Sequence, residues 1–342
     1  MSRPSAFQGH HRIWHVVPGP DGRGRVKLNE PRQGVLWFDR RCFRSEEELL
    51  VELNRRRMSY IPSARRLDGG GPVVQDYIEG RVLTELSPVG TRIAGTHLAQ
   101  IMRRFRELAS VRAGDITAPR RCTPRERPGD RQSSAFLRTL IDFTHRHCYL
   151  KRLPEYGGLF ERLRIPPDVL RPGSRLWSEA GELTPRPFCL IHGDLHRANF
   201  IVDAADRLWT IDWELAMIGD PLYDLATHLY LMGYPPSQEG EVVERWRAAV
   251  DAVLPGAGAA AGEDLPRYLA YKRVQSVYTD VVRQAQKLAD TEPADREDQL
   301  RRTAKTVHRV LHRAADVLGL GAVPGPGEIE EAYAAFGGTR AP

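Results

Sequence analysis

The residues most able to do chemistry in this sequence are the carboxylates Asp194 and Asp212 and the amide of Asn199. Asp194 and Asn199 lie five positions apart, and Asp212 follows thirteen positions after Asn199. A carboxylate can accept the proton of a reacting hydroxyl, and carboxylate and amide oxygens are ligands that suit Mg²⁺. Residue type and spacing therefore mark this stretch as the candidate catalytic site of the chain.

Short apolar runs must position these three side chains. One run covers residues 188–191, a second covers 200–202, and a turn at 203–207 leads to a third run that ends on Asp212. Runs of this length between turn residues are typical of strands. We therefore expect a strand, a polar loop and a tight hairpin that returns Asp212 to the side of the loop.

The stretch 192–214 resembles the catalytic loop of protein kinases, in which an Asp receives the hydroxyl proton while an Asn and a later Asp hold Mg²⁺. His-Gly-Asp at 192–194 replaces the kinase His-Arg-Asp, and Ile-Asp-Trp-Glu at 211–214 replaces Asp-Phe-Gly. These replacements resemble the aminoglycoside phosphotransferase and choline kinase family, whose members phosphorylate small molecules.

The family resemblance assigns a role to each polar residue of the stretch. It implies that Asp194 is the catalytic residue and that Asn199 and Asp212 hold Mg²⁺. Glu214, two positions beyond Asp212, could support a second metal ion or contact the substrate, or it could be a solvated residue at a strand end.

Composition places the chain among soluble globular proteins. Its 342 residues suit two domains or one large bilobal unit, with 41% hydrophobic and 27% charged residues. No apolar run approaches a membrane span, and the N-terminus lacks a signal-peptide core. We therefore expect a cytoplasmic enzyme with no membrane partner.

The cysteines are scattered and show no CxxC spacing, so a disulfide framework or a zinc site is not expected. A zinc pair at His192 and His196 has only Cys189 nearby, whereas a structural zinc site needs four ligands. Reduced thiols are therefore expected at all four cysteines, which are Cys42, Cys122, Cys148 and Cys189.

Charge is divided unevenly along the chain. Residues 1–150 hold 27 Lys and Arg against 16 Asp and Glu, and residues 151–342 hold 23 against 28. The first part has a balance of +11 and suits a polyphosphate, whereas the second has a balance of −5 and suits a cationic substrate. Solvated surface charge is the alternative explanation of the same division.

The N-terminal residues alternate in the manner of antiparallel strands. We expect strands over 7–17 and 25–28, with Gly9 in a turn that covers the ATP phosphates by analogy with kinases. Lys27 is the only lysine among the first 150 residues, in a chain with five lysines and forty-five arginines. The resemblance implies that it contacts the α and β phosphates.

A helix is predicted from Ser45, a suitable N-cap that three glutamates follow. Glu46, Leu50 and Leu53 match the Glu-x-x-x-Leu-x-x-Leu pattern of the family helix that faces its lysine strand. Glu46 is therefore the predicted partner of Lys27, although acidic residues suit any first helical turn, and Glu47 and Glu48 remain alternatives.

The segment 72–80 reads as a strand that stops at Gly80 and resembles the connection between the two kinase lobes. There the resemblance implies that the backbones of Asp76 and Ile78 meet the adenine edge. Gly-Asp-Pro-x-x-Asp-Leu-Ala at 219–226 resembles the family segment that starts a helix and braces the catalytic loop. The Arg- and Pro-rich segment 112–131 reads as a mobile basic loop.

Together these features predict an α+β, bilobal, protein-kinase-like fold. Residues 1–80 would form a small antiparallel β-sheet lobe with the hinge, and residues 81–342 a larger, mainly helical lobe for catalysis and substrate binding. The resemblance implies an O-phosphotransferase that uses ATP and Mg²⁺. An inactive kinase-like binding module is the alternative, but retention of Lys27, Asp194 and Asp212 argues against it.

Acidic residues of the C-terminal helices favour a cationic acceptor, since the family reads its substrates there. An amino sugar, aminocyclitol or aminoglycoside fits best, in antibiotic resistance or biosynthesis, with choline-like compounds and neutral cyclitols or sugars as alternatives. A nucleic-acid partner is not expected, because segment 112–131 lacks interleaved aromatic residues. The acidic residues in question are Asp251, Glu263, Asp264 and Asp280.

Overall fold

A five-stranded antiparallel sheet forms the N-terminal part of the protein. The computed structural model describes residues 5–8, 12–19, 24–31, 37–66 and 73–338. The sheet runs in the order β1-β2-β3-β5-β4. Its strands are β1 (Ser5–Gln8), β2 (Arg12–Pro18), β3 (Arg25–Pro31), β4 (Ala64–Arg66) and β5 (Val73–Asp76). The predicted small antiparallel sheet is confirmed, whereas the prediction for Gly9 falls outside the described residues.

The central position of β3 fixes Lys27 within this sheet. Lys27 pairs with Val16 of β2 on one side and with Gln75 of β5 on the other. The helix α1 (Glu46–Arg55) follows, and the side-chain oxygen of its N-cap Ser45 accepts the backbone N–H of Glu48. The α1 leucines Leu49, Leu50 and Leu53 are fully buried, so hydrophobic packing orients the helix.

Two small sheets carry the hairpin and residues 192–199, the predicted catalytic loop. The first has the order β6-β8-β9, and the second pairs β7 with β10 in antiparallel fashion. These strands are β6 (Arg81–Val82), β7 (Cys189–Ile191), β8 (Phe200–Val202), β9 (Leu208–Thr210) and β10 (Met217–Gly219). Val202 pairs with Leu208 across the hairpin turn, as the apolar runs predict.

Helices make up most of the remaining described chain, which confirms the predicted α+β class. In chain order they are α2 (Leu83–Leu86), α3 (Gly95–Ala109), α4 (Ser133–Phe143), α5 (Leu153–Arg162), α6 (Arg175–Ala180), α7 (Pro221–Met232), α8 (Pro236–Asp251), α9 (Ala261–Ala289), α10 (Arg296–Leu318) and α11 (Pro326–Gly338). None of the helices in the described ranges combines the length and the apolar character that crossing a membrane requires.

The chain divides into two compact units, of which the first comprises residues 1–133 and 185–261. The second unit comprises residues 134–184 and 262–342. A buried tyrosine connects two of its helices, since the hydroxyl of Tyr271 on α9 donates to the carbonyl of Leu140 on α4 at 3.1 Å. The predicted lobe boundary after residue 80 lies within the first unit, and this boundary stays a prediction.

Segment 112–131 is anchored, which differs from the mobile loop that its composition suggests. The carboxylate of Glu52 on α1 accepts the backbone N–H groups of Thr117 and Ala118 at 2.8–3.0 Å. The backbone N–H of Arg44 donates to the carbonyl of Pro119 at 2.8 Å. Backbone bonds to a distant element hold the segment, and composition alone carries no signal for such bonds.

A buried ion pair fixes the start of α7. The guanidinium of Arg186 binds the carboxylate of Asp220 through three contacts of 3.0–3.1 Å, and both side chains are fully buried. Asp220 is also the N-cap of α7, since Oδ1 accepts the backbone N–H of Leu222 at 2.9 Å. The Gly-Asp-Pro motif therefore starts this helix, as predicted.

Replacement of Arg186 by Met should lower the free energy of unfolding by about 3–5 kcal/mol, because it leaves the Asp220 carboxylate buried without its counter-charge. Urea denaturation measures the change. The control is Arg245→Met, which breaks an exposed pair with Glu241 and should cost about 1 kcal/mol or less. Equal losses in the two variants would contradict the structural role of Arg186.

Candidate active site

The catalytic loop begins where β7 ends, and one carboxylate holds its first two residues. Asp224 on α7 accepts the backbone N–H of His192 at 3.0 Å and that of Gly193 at 2.8 Å. Gly193 has φ +79°, and a Cβ at this position would lie 2.8 Å from the carbonyl oxygen of Leu215. Only glycine fits this close approach. The Asp of the Asp-Leu-Ala motif therefore braces the loop.

Two donors orient the side chain of Asp194. Asn199 Nδ2 donates to Oδ2 and to the backbone carbonyl of Asp194, both at 2.9 Å. His196 Nε2 lies 3.3 Å from the same Oδ2. Because His196 Nδ1 accepts the backbone N–H of Ala198, Nε2 is the nitrogen that carries the proton. The plane of the Asp194 carboxylate is thereby fixed.

The hairpin returns Asp212 to the side of Asn199, as the apolar runs predict. The backbone N–H of Ile211 donates to the carbonyl of Asn199 at 3.0 Å. Asp212 has φ +64°, a left-handed conformation that Asp and Asn adopt more readily than most residues. This turn of the backbone ends the third apolar run at the acidic side chain.

The donor set at Asn199 and Asp212 fits Mg²⁺. Asn199 gives its amide nitrogen to Asp194, so the oxygen Oδ1 is the atom that faces other partners. Mg²⁺ is bound through one or two protein oxygens and completes its shell with water and phosphate oxygens. Across the described ranges, no group of three or more His, Cys, Asp or Glu side chains could hold a metal ion.

A buried arginine stabilises the hairpin through hydrogen bonds. Arg104 on α3 is 4% exposed. Its Nε donates to the hydroxyl of Thr210 at 3.0 Å, and Nη2 donates to the carbonyl of Tyr60 at 3.2 Å. The backbone N–H of Thr210 reaches the same carbonyl at 2.9 Å. Sequence reasoning did not identify Arg104, because nothing in the local pattern separates it from the surface arginines of α3.

Of the three glutamates that open α1, Glu46 reaches the site. Its Oε1 accepts the backbone N–H of Trp213 at 3.1 Å and Nε2 of Gln75 at 3.3 Å. Desolvation lowers the pKa of Lys27, although the charges of Glu46 and Asp212 oppose this shift. Glu46 therefore lies near both Lys27 and the backbone that follows Asp212.

The other two glutamates have local partners. Glu47 Oε2 accepts the hydroxyl of Ser45 at 2.6 Å, and Glu48 Oε1 lies 3.7 Å from Arg66 Nη2. The geometry thus favours Glu46 among the alternatives. Its role toward a nucleotide stays a prediction.

The predicted hinge residues lie beside a cavity of about 530 Å³, which residues 76–79 line together with the hairpin turn. The backbone N–H of Asp76 is taken by the carbonyl of Ser63 at 2.8 Å, so a contact of Asp76 with adenine would use its carbonyl. The side chain of Asp76 pairs with Arg65 at 3.2 Å. Ile78 is buried. Adenine binding by these residues stays a prediction.

Glu214 is not a solvated strand end, because its Oε1 pairs with Arg41 Nη2 at 2.7 Å and its side chain is 13% exposed. The Arg41 guanidinium lies 3.3 Å above the Trp37 ring. Asp39 lies close enough to Tyr223 to raise the pKa of its phenol, together with the larger effect of burial. Residues 37–44, hereafter the 37–44 segment, therefore flank the site, which sequence reasoning missed because no motif spans them.

Two buried histidines near the loop are neutral. Desolvation lowers the pKa of both His192 and His228 to about 3. His228 Nδ1 lies 2.8 Å from the carbonyl of Leu195, and Nε2 lies 2.9 Å from the hydroxyl of Tyr234. Burial has the opposite consequence for Asp224, whose pKa it raises to about 6.

These shifts predict that stability falls on acidification from pH 7 to 5. Histidines of the unfolded chain titrate near pH 6.5. Below that pH the unfolded state therefore binds protons that the buried histidines do not bind. The free energy of unfolding then falls by up to about 1.4 kcal/mol per histidine and pH unit. Asp224 opposes this loss only below its pKa of about 6. Two histidines outweigh one carboxyl group, so the melting temperature should drop.

Thermal unfolding across pH tests this balance. His228→Gln should be less stable at pH 7 and should lose less stability between pH 7 and 5 than the parent. The control His312→Gln changes an exposed histidine and should keep the full dependence. An unchanged slope in His228→Gln would contradict the assignment.

The fold and the family to which the chain belongs identify it as a kinase-like phosphotransferase. The sheet lysine, the Asp-Asn pair of the loop and the returning Asp occupy one compact unit. The family model described as "Phosphotransferase enzyme family" matches residues 11–261, and the chain belongs to this family. A comparison with curated proteins finds no match.

Several solved structures are similar to this chain at low sequence identity, and the first two below, with TM-scores above 0.5, share its fold. A choline/ethanolamine kinase family protein from Mesorhizobium loti has a TM-score of 0.51 at 16% identity, over 97% of this chain and 92% of that one. An ethanolamine kinase from Plasmodium vivax has a TM-score of 0.56 at 13% identity, over 92% and 82%. A macrolide 2'-phosphotransferase from Brachybacterium faecium has a TM-score of 0.47 at 17% identity, over 94% and 93%.

Proposed function

We propose that this phosphotransferase transfers the γ-phosphate of ATP to a hydroxyl group of a small, amine-bearing molecule. The observation that carries the proposal is the Asp194 carboxylate, oriented by Asn199 and His196 beside the returning Asp212. Reduced thiols fit a cytoplasmic location, where ATP is available, and none of the four cysteines, all of which lie in the described ranges, is joined in a disulfide.

In this proposal Asp194 accepts a hydrogen bond from the acceptor hydroxyl and aims its oxygen at the phosphorus. Orientation matters more than basicity, since the transition state of phosphoryl transfer is loose. A donor pair that fixes the carboxylate plane therefore contributes through positioning.

Asn199 Oδ1 and the Asp212 carboxylate would hold Mg²⁺, which neutralises phosphate charge when it is bound. Lys27 would contact the phosphates further from the acceptor. Glu46 positions the backbone N–H of Trp213 and so keeps the residue before it, Asp212, in place.

Asp194→Asn should reduce turnover by about two orders of magnitude or more while leaving Mg-ATP affinity unchanged, because Asp194 serves the acceptor. Asp212→Asn should lose Mg-ATP affinity, because it removes a charged metal ligand. Isothermal titration with Mg-ATP and saturating kinetics separate the two effects. Near-parent turnover in Asp194→Asn would remove that residue from its role.

The acidic residues that motivated a cationic substrate are mostly engaged in local structure. Asp264 is fully buried and accepts the backbone N–H of Thr184 at 2.9 Å. Asp251 accepts the backbone N–H of Gly258 at 2.9 Å, and Asp280 accepts the hydroxyl of Ser276 at 2.6 Å. Three of the four residues therefore stabilise their own surroundings, which weakens this part of the sequence argument.

The support for an amine-bearing acceptor now comes from the 37–44 segment and its surroundings. Asp39 and Asp194 both lie near enough to Tyr223 to raise the pKa of its phenol, whereas Glu214 is already paired with Arg41. The carboxylates of Asp39 and Asp194 suit the amine of an amino sugar, aminocyclitol or aminoglycoside, in antibiotic resistance or biosynthesis. Choline-like compounds share the positive charge, whereas neutral cyclitols and sugars do not.

A screen of ATP consumption should find its best acceptor among amines, and N-acetylation of that acceptor should weaken binding more than removal of a non-reacting hydroxyl. The Michaelis constant should rise with ionic strength, since exposed charge pairs are screened over roughly 8–10 Å at ordinary salt. The panel should hold aminoglycosides, aminocyclitols, choline, ethanolamine and neutral cyclitols. A neutral best acceptor would overturn the charge argument and leave phosphotransfer intact.

A further inference from the structure

Two cysteines outside the catalytic loop contact each other across two chain segments. Cys42 and Cys122 are 6% and 9% exposed, and the two thiols lie close enough for each to shift the pKa of the other. The Cys122 thiol also lies 3.8 Å from the backbone carbonyl of Cys42. An antiparallel bridge between Phe43 and Arg120 joins the 37–44 segment to segment 112–131 at this point.

Both thiols line a cavity of about 280 Å³ on the first unit. Three arginines line the same cavity: Arg40, Arg120 and Arg127. Their guanidinium groups donate to backbone carbonyls rather than to carboxylates, as when Arg127 Nε reaches the carbonyl of Cys122 at 3.0 Å. Among the described lining residues, Asp130 is the one acid, and its Oδ1 accepts the backbone N–H of Phe188. The described lining of the cavity is therefore basic.

The surroundings shift the pKa values of the two thiols in opposite directions. The hydrogen bond from Cys42, aided by Arg127 and Arg40, lowers the pKa of Cys122 from 9.0 to about 5 against the effect of burial. The same hydrogen bond, together with burial, raises the pKa of Cys42 well above 9.0. Burial also raises the pKa of Cys189. Thiolate character at neutral pH therefore belongs to Cys122.

We propose that Cys122 and Cys42 form an oxidation site for small peroxides, with Cys122 as the nucleophile and Cys42 as the resolving thiol. The Cys122 thiolate attacks one oxygen of hydrogen peroxide, the O–O bond breaks, and hydroxide leaves and takes up a proton to become water. The Cys42 thiol then attacks the sulfenic acid sulfur, and a disulfide forms with release of a second water. Two electrons pass from the sulfur atoms to the peroxide, and the balance closes without another reductant.

The cross-link would tie the 37–44 segment to segment 112–131 covalently. Arg41, the neighbour of Cys42, pairs with Glu214 at 2.7 Å, and Glu214 lies two positions from Asp212. Oxidation would therefore restrain the segment that flanks the active site. The thiol chemistry itself does not depend on the proposed function.

Peptide mapping of the full-length protein after exposure to hydrogen peroxide tests the proposal directly. The expected product is a disulfide-linked pair of peptides that contain Cys42 and Cys122, with Cys148 and Cys189 still reduced. Amide hydrogen exchange should slow in residues 37–44 of the oxidised protein. Equal oxidation of all four cysteines, or no Cys42–Cys122 cross-link, would overturn the proposal.

Variants separate the two thiols. Cys42→Ser should accumulate a sulfenic acid at Cys122 that dimedone traps, whereas Cys122→Ser should give neither the trapped acid nor the cross-link. Thermal unfolding checks that both variants fold, and the mapping of the parent protein decides the matter if one does not. Dimedone labelling at Cys42 instead would reverse the assigned roles and contradict the proposal.

The guanidinium contribution has a matched control. In the parent, alkylation of Cys122 by iodoacetamide should rise with pH around a midpoint well below that of an ordinary thiol. Arg127→Gln should move this midpoint upward by on the order of one pH unit. Arg44→Gln removes an equal charge from an exposed position of the 37–44 segment and should leave it unchanged. A parent midpoint near that of an ordinary thiol would contradict the site.

Discussion

The order of the active site depends on one carboxylate that accepts two consecutive backbone N–H groups. Asp224 binds the amides of His192 and Gly193 and so sets the path of the chain that leads into Asp194. Burial raises the pKa of Asp224 to about 6, against the effect of these two donors. The group therefore remains ionised at neutral pH, in the form that accepts both bonds.

The position of the Asp224 carboxylate depends on the position of the helix α7, which carries it. The helix α7 starts at an N-cap, Asp220, which the buried Arg186 holds with three contacts. Arg186 also donates to the carbonyl of Ala259 at 3.0 Å, so the pair reaches beyond the helix. Charge-assisted hydrogen bonds thus connect three parts of the chain. Arg186, which precedes β7, binds the N-cap of α7, and Asp224 of α7 binds the start of the catalytic loop.

Much of this arrangement was predictable because its signals are local. Apolar runs between turn residues predict β7, β8 and the hairpin, and a serine followed by glutamates predicts α1. The placement of Asn199 beside Asp194 follows from their spacing within one loop, and the structure brings them into contact at 2.9 Å. Family resemblance added the expected roles, which geometry alone does not test.

The unpredicted features depend on contacts between distant parts of the chain. Arg41 meets Glu214 although 173 positions separate them, and in a chain with forty-five arginines no local signal marks this one. The same holds for Arg104 below the hairpin. Asp264 was expected to be accessible to a cationic substrate, but it is buried. The sequence pattern of a first helical turn is the same whether its acidic residue is solvated or buried.

The left-handed backbone at Asp212 restricts which residues the position can tolerate. At φ +64°, glycine, asparagine and aspartate fit with the least strain, whereas β-branched side chains are strongly disfavoured. The proposed role of Asp212 as a Mg²⁺ ligand separately favours an anionic oxygen, which glycine and asparagine lack and which glutamate would offer from a different distance. The positive φ and the proposed ligand role are independent requirements. Aspartate meets both, because it tolerates this backbone conformation and carries an anionic oxygen on a short side chain.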